Sequence, residues 1–132
     1  MWWKYLIGVV ILMHGLGHFA GVGAAFAKGG SGFSIRPWIF SRGVLYSGPV
    51  GKLWTVVWLA AVALLAAGAI GLMLGRAWWP PLAVAGAAVS LLAIVPWWNT
   101  VVPGAKAGAL LDVAILVALL GPWKEQVVKF LG

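Results

Sequence analysis

Two histidines and one aspartate stand out in this sequence because they are ionisable and lie inside long apolar runs. His14 and His18 are four residues apart, so a helix places them on one face, together with Gly17 and Gly21. Asp112 is the one acidic residue inside the last apolar run. Ionisable side chains at membrane depth are costly to bury, and they commonly form proton relays and polar ligand sites. We therefore take these three residues as the candidate site for proton or ligand handling.

The same three side chains admit three kinds of chemistry. In the first, Asp112 accepts a hydrogen bond from His14 or His18 and joins the first helix to the last, which contributes about 0.6 to 2 kcal/mol. In the second, the group moves protons or binds a small polar or quinone-like ligand. In the third, His14, His18 and a carboxylate hold a metal ion, although no HExxH glutamate accompanies them. Haem is a variant of the third, and it would need a second chain to ligate the iron from both sides.

Helix geometry places His14 and Asp112 at similar depth. At 1.5 Å per residue, His14 lies about 16 Å from Trp3 along the first helix, and Asp112 lies about 16 Å from Trp123 along the last. Tryptophan prefers the membrane interface, and with four spans Trp3 and Trp123 mark the same membrane surface. The sequence therefore places both near the middle of the bilayer, where they can form a hydrogen bond if the first and last helices are neighbours.

Four apolar runs position these residues, and we number them as the first to fourth spans: residues 5–27, 53–75, 78–98 and 106–122. A helix needs roughly 20 such residues to cross the hydrocarbon core. Hydrophobic residues make up 64% of the 132-residue chain and charged residues 8%, whereas soluble domains have about 25% charged residues. The runs are continuous and do not alternate, which favours helices over a β-barrel. The sequence predicts an all-α fold: one domain, 1–132, that is an integral membrane bundle of four transmembrane helices.

One long loop is predicted between the first and second transmembrane helices. The connection from Lys28 to Lys52 mixes basic and aromatic residues. That mixture is typical of a segment that lies on the membrane interface, or of an ordered loop that packs over the mouth of the bundle. Pro37 is expected to begin a short surface helix within this loop.

Small residues recur at steps of four, a spacing that lets membrane helices approach closely. They are Gly17 and Gly21 in the first span and Ala63, Ala67, Gly71 and Gly75 in the second. We expect these stripes to pack the bundle, and one of them to face another membrane subunit or a second copy of the chain.

The composition excludes several classes of function. The chain has no cysteine, so it has no disulfide, thiolate metal ligand or thiol redox site. Its net charge of +7 comes from basic residues spaced singly at the ends of apolar runs, which favours a lipid bilayer with anionic headgroups as partner over nucleic acid. No nucleophile is paired with a base, and Ser90 in the third span is expected to bond to its own helix backbone. The sequence therefore favours a non-enzymatic role and requires no cofactor.

The first span, Tyr5-Leu-Ile-Gly-Val-Val-Ile-Leu-Met-His-Gly-Leu-Gly-His18, resembles the opening helix of DoxX-like small membrane proteins. Those proteins have four helices, with a glycine followed a few residues later by a His-Gly pair. The Gly75-Arg76 turn is also similar. The resemblance implies a multi-pass protein of the bacterial or archaeal plasma (inner) membrane, associated with quinone-linked or oxidative-stress systems. It favours a small accessory or anchoring subunit of a larger membrane assembly, with the proton- or ligand-handling bundle and the metal or haem carrier as the other two hypotheses.

Overall fold

The computed structural model describes residues 2–27 and 31–131, and all its regular structure in these residues is helical. Lys28, the first residue of the predicted loop, lies outside the described ranges. The α-helices are α1 Trp3–Gly17, α2 Phe19–Phe26, α3 Pro49–Met73, α4 Trp79–Ile94, α5 Pro103–Leu120 and α6 Lys124–Leu131, and a 3₁₀ turn, Val95–Trp97, extends α4. Four stretches are long and apolar enough to cross a membrane: Trp3–Phe26, Pro49–Met73, Trp79–Trp97 and Pro103–Leu120. The predicted all-α bundle of four transmembrane helices is confirmed.

The second and fourth spans begin earlier than the sequence analysis predicted, at Pro49 and Pro103. Each proline occupies the first turn of its helix, where a missing backbone N–H leaves no hydrogen bond unmade and the fixed φ angle suits the helix. Lys52 does not end the apolar run, because its side chain is exposed at the first turn of α3, with Nζ 5.9 Å from the centre of the Phe26 ring. A lysine near a helix end can extend its charge toward the interface and leave the helix intact.

Helix α4 packs against α3 and α5, and α1 packs against α3 and also lies next to α5. The contact between α3 and α4 is close enough to require glycine. A Cβ atom on Gly68 would lie 2.9 Å from the backbone N of Ala83, and one on Gly86 would lie 2.9 Å from the backbone N of Leu65. The two helices therefore pack with their backbones in contact, as small residues allow in membranes.

The small-residue stripe predicted on the second span packs only in part. Ala63 is exposed, Ala67 is half-buried and Gly71 is buried, because steps of four advance about 40° around a helix of 3.6 residues per turn. The buried face of α3 is instead formed by residues at steps of three and four, namely Leu65, Gly68, Ala69 and Leu72. Ala63 therefore lies on the outer face of α3 and does not pack within this chain, and its contact with another subunit stays a prediction.

Gly75 ends α3 and does not pack against another helix. Its φ of 61° is in the left-handed region, and the N–H of Arg76 bonds to the carbonyl of Gly71 at 2.8 Å while the N–H of Gly75 bonds to that of Leu72 at 3.0 Å. These two bonds are those of a Schellman motif, which favours glycine at this position. The glycine is thus required by the backbone of the turn between the second and third spans.

Gly75→Ala is expected to destabilise the bundle by about 1 to 2 kcal/mol, because an alanine side chain strains a left-handed backbone. A Cβ atom at this position would have no heavy atom nearer than Nζ of Lys4 at 3.8 Å, so the cost comes from the backbone alone. Unfolding in mixed micelles titrated with SDS measures it. Gly104→Ala is the control, because a Cβ there meets nothing within 4 Å; equal unfolding midpoints for the two variants would contradict the assignment.

Residues 31–48 form an ordered loop over one end of the bundle, and no helix begins at Pro37. The loop is bonded to the end of the third span: Ser34 N–H donates to the Thr100 carbonyl (2.8 Å), and Ile39 N–H donates to the Pro96 carbonyl (2.9 Å). The expectation of a short surface helix was wrong, because these backbone groups bond to another segment. At the opposite end of the bundle, α6 was not anticipated, and it covers the apolar core with the buried side chain of Leu131.

Candidate functional site

The first span is interrupted at His18, between the end of α1 and the start of α2. The backbone N–H of His18 bonds to the carbonyl of Gly15 at 3.1 Å. The ring of His18 donates from Nδ1 to the carbonyl of His14 at 3.0 Å. Since Nδ1 carries this proton, the other ring nitrogen, Nε2, is the one that faces α4.

Four side chains from three spans form one hydrogen-bonded network. Nε2–H of His14 donates to Oδ1 of Asp112 at 2.7 Å, which confirms the predicted pairing. The hydroxyl of Ser90 bonds to Oδ2 of Asp112, and its Oγ lies 2.6 Å from Nε2 of His18. The expectation that Ser90 bonds to its own helix was wrong. The network joins α1, α4 and α5, and it contains all three of the predicted candidate residues.

This network is buried at the middle of the bundle. Asp112 and Ser90 have no exposed surface, and His18 is 3% exposed. Two apolar clusters enclose it along the membrane normal. One contains Ile11, Ala87 and Ile115, and the other contains Ala24, Ala93 and Ala109. The polar groups therefore lie at the depth that the distances from Trp3 and Trp123 predicted.

The hydrogen-bond pattern limits which numbers of protons satisfy every contact in the network. A neutral His18 that donates from Nδ1 offers only a lone pair at Nε2. The Ser90 hydroxyl has one proton, so it can donate either to His18 or to Asp112, but not to both. One further proton makes both contacts hydrogen bonds. It can be on His18, which then donates to Ser90 while Asp112 is ionised, or on Asp112, which then donates to Ser90 while His18 is neutral. The Ser90 hydroxyl connects these two forms, and with His14 neutral each of them has no net charge, which suits an apolar surrounding.

A cavity of about 310 Å³ adjoins the network on the side of α1, α2 and the start of α5. Both histidines line it, and most of its remaining wall is apolar. Gly108 lies beside the His14 ring: a Cβ there would be 2.9 Å from Nδ1 of His14. Glycine at this position leaves room for the imidazole, whose Nδ1 has no hydrogen-bond partner among the described residues. His14 thus connects the buried carboxylate to an open space.

Trp58 is a residue of this site that the sequence analysis missed. It lines the cavity, is 2% exposed, and packs its ring against Gly21, where a Cβ atom would approach to 2.4 Å. Its indole N–H is buried with no hydrogen-bond acceptor among the described residues. Its position was the available signal, because Trp58 lies about 14 Å along α3 from Pro49 and is too deep for an interfacial tryptophan.

The loop over the bundle holds one wall of the cavity in place. The hydroxyl of Tyr46 donates to the carbonyl of Gly21 at 2.5 Å, and its ring stacks on Phe33 with ring centres 5.0 Å apart. Burial raises the pKa of Tyr46 above its usual value, so the side chain remains a neutral donor. Phe33 in turn lines the cavity beside the histidines.

The geometry gives the metal and haem hypotheses no support. Both ring nitrogens of His18 and one of His14 already have hydrogen-bond partners. Within residues 2–27 and 31–131, no three His, Cys, Asp or Glu side chains are grouped so that they could hold a metal ion. Metal binding by His14 and His18 stays a prediction.

No family model matches the chain, and no curated protein or solved structure is significantly similar to it. The resemblance of Tyr5–His18 to DoxX-like proteins therefore stays a prediction. What the chain does has to be inferred from the network and the cavity.

Proposed function

We propose that this protein binds a small amphipathic, quinone-like ligand within the membrane and exchanges a proton with it. One observation carries the proposal: His14 both lines the cavity and donates a hydrogen bond to the buried Asp112. A structural hydrogen bond between two helices needs no adjoining cavity, whereas a ligand site does. The cavity volume is within the range of small-molecule sites, which are mostly apolar with a few fixed polar groups.

The chemistry of the cavity wall supports this class of ligand. His14 lines the cavity, and its Nδ1 has no hydrogen-bond partner among the described residues. A ring that carries a hydroxyl group can donate to this nitrogen, while its apolar body contacts Met13, Ile94 and Val102. Small-molecule sites are recognised in this way, by a mostly apolar wall with a few fixed polar groups.

A proton can pass between ligand and network with charge conserved. A ligand hydroxyl that donates to Nδ1 of His14 transfers its proton there while the proton on Nε2 of His14 passes to Asp112. If the further proton of the network is on His18, this leaves Asp112 neutral, His18 positive and the ligand oxygen negative. The ligand anion and the imidazolium then balance each other inside the bundle, which an isolated buried charge could not do.

The cellular setting proposed with this function is a prokaryotic plasma membrane, with the chain as an accessory subunit or homo-oligomer in a larger assembly. The four membrane-spanning stretches support a multi-pass membrane protein. Ala63, small and exposed on the outer face of α3, is where another membrane helix could approach. Stoichiometric partners recovered in mild detergent are the expected result for such an assembly.

Gly17→Leu is expected to weaken ligand binding at least about tenfold, since a leucine side chain would fill the cavity, and tenfold corresponds to about 1.4 kcal/mol. Gly17 lines the cavity, and a Cβ on it meets nothing within 4 Å, so the bundle itself is not strained. The probe is a short-tailed benzoquinol added to the protein in nanodiscs. Binding is followed by ¹⁵N NMR of labelled histidine, because the chain has only two histidines.

Gly23→Leu is the matched control for this experiment. Its Cβ also meets nothing within 4 Å, but Gly23 is exposed and does not line the cavity. The wild-type protein and the Gly23 variant should show the same quinol-dependent change at His14 Nδ1. Unchanged binding by the Gly17 variant, or the absence of any histidine response in the wild type, would contradict the proposed function.

A further inference from the structure

A second cavity, of about 430 Å³, lies in the loop over the bundle and is separate from the histidine site. Arg36 and Arg42 line it, together with Trp38 and Asn99. The loop is held rigidly here: the hydroxyl of Thr100 donates to the carbonyl of Arg36 at 2.5 Å, and that of Ser34 donates to the carbonyl of Asn99 at 2.8 Å. The backbone that carries Arg36 is thus fixed against the end of the third span.

Both arginines are exposed and lack an acidic partner among the described residues. The chain has two acidic residues in all. Asp112 is buried in the histidine network, and Glu125 lies in α6, at the other end of the bundle from this loop. Two arginines that line one cavity without a counter-charge favour an anion there, and guanidinium groups match phosphate oxygens in bidentate geometry.

The wall of this cavity includes an aromatic side chain that its neighbours hold in place. Trp38 lines the cavity, and its ring packs against Trp97 and Trp54, with ring centres 5.6 Å and 6.1 Å away. Its indole N–H is covered by protein atoms, so the arginines are the groups that can bind an anion here.

Apolar side chains beside the arginines place the cavity at the membrane surface. Ile35 is 93% exposed and Phe40 is 68% exposed. Such side chains on a basic segment insert at the boundary between headgroups and acyl chains, where the surface of an anionic leaflet attracts arginine. The anion that this cavity favours is therefore the headgroup of a membrane lipid.

We propose that Arg36 and Arg42 bind the phosphate of one anionic phospholipid headgroup. This binding is independent of the ligand in the histidine cavity. It would fix the loop, and with it the Phe33 and Tyr46 wall described above, to the membrane surface.

The test is native mass spectrometry of the full chain with phosphatidylglycerol as the probe and phosphatidylcholine as the neutral lipid. Arg36→Gln/Arg42→Gln should weaken retention of phosphatidylglycerol at least tenfold, and Arg36→Lys/Arg42→Lys should have an intermediate effect because the charge remains and the bidentate geometry is lost. The control is Arg76→Gln/Lys124→Gln, which removes two exposed positive charges from the opposite end. The control should bind as the wild type does.

Three results would overturn the proposal. The first is equal retention of phosphatidylglycerol by the glutamine variant and the control. The second is equal retention of phosphatidylcholine and phosphatidylglycerol by the wild type. The third is displacement of the lipid by an equal concentration of inorganic phosphate, which would assign the site to free phosphate. An unchanged SDS unfolding midpoint for the glutamine variant shows that the loss is of binding and not of fold.

Discussion

Asp112→Asn is expected to abolish proton exchange between ligand and protein while the bundle stays folded. The amide has the shape of the carboxylate, but it cannot gain a proton, and its two ends are no longer equivalent. Its oxygen can accept from His14 and its N–H can donate to Ser90, whose hydroxyl then donates to His18, so the variant has the hydrogen bonds of the form in which Asp112 is protonated. Because these bonds are kept, the loss of stability should be smaller than the roughly 0.6 to 2 kcal/mol that one hydrogen bond contributes within a membrane.

The measurement uses the fact that Asp112 is the chain's single aspartate. Carboxyl ¹³C labelling of aspartate reports on this residue alone, and its chemical shift in the wild type should move when benzoquinol is added. ¹⁵N NMR of labelled histidine shows whether the ligand's proton has reached Nδ1 of His14, since a transfer within the complex exchanges no proton with the buffer. The wild type should show this transfer, and the asparagine variant should show none and bind at least about tenfold more weakly.

Glu125→Gln is the matched control for Asp112→Asn, since it removes the chain's other acidic group from an exposed position in α6. This variant should keep both the affinity and the proton exchange of the wild type. If the asparagine variant did the same, Asp112 would be a packing group only, and the proton-handling role would be lost. The network would then be the helix-joining hydrogen bond of the first hypothesis.

Gly86→Leu is expected to have the largest effect on folding. A Cβ on Gly86 would lie 2.9 Å from the backbone N of Leu65, so the α3 backbone itself would have to move. Overpacking usually lowers the stability by about 1 to 3 kcal/mol. We expect a loss at the upper end of this range, because the α3 backbone, unlike a side chain, cannot move aside by changing its rotamer. Parting α3 from α4 would also move Ser90 and so disrupt the histidine network.

An SDS titration that monitors helix content measures this loss, with Gly23→Leu as the control because its side chain would extend into open space. The Gly23 variant should unfold at the wild-type midpoint. An equal shift in both variants would show that the added leucine acts through the helix and not through the contact between α3 and α4.

The sequence was sufficient to predict the four spans and the equal depth of His14 and Asp112. Both predictions rest on quantities that a sequence contains, namely the length of apolar runs and the rise per residue from a tryptophan that marks the interface. The predicted boundaries of the spans were less accurate, because each lysine was assumed to lie outside the helix. Lys52 instead lies in the first turn of α3, and its side chain extends outward from there.

The part played by Ser90 could not be predicted, because α4 lies between two other helices. A helix that is apolar all round gives no sign of which face meets which neighbour, and Ser90 happens to be on the face directed at His18 and Asp112. The interruption of the first span at His18 also depends on a contact between helices, because the His18 ring bonds both to Ser90 of α4 and to the backbone carbonyl of His14.

The paired tryptophans show a further limit of the sequence. Trp78 and Trp98 are exposed, whereas their neighbours Trp79 and Trp97 are buried. Adjacent residues differ by about 100° around a helix, so one of each pair faces the membrane and the other faces the core. The sequence marks the depth of such a pair, but the direction of each ring depends on packing.

The contact between α1 and α5 has a mechanical consequence. Between α3 and α4 the backbones touch, whereas α1 and α5 are joined across their seam by the hydrogen bond from His14 to Asp112. Moving α1 and α5 apart therefore costs less free energy than moving α3 and α4 apart, so the contact between α1 and α5 is the expected entry route for a ligand. A molecule dissolved among the acyl chains could enter there directly, and the bond it must break on entry is the one whose proton it would exchange.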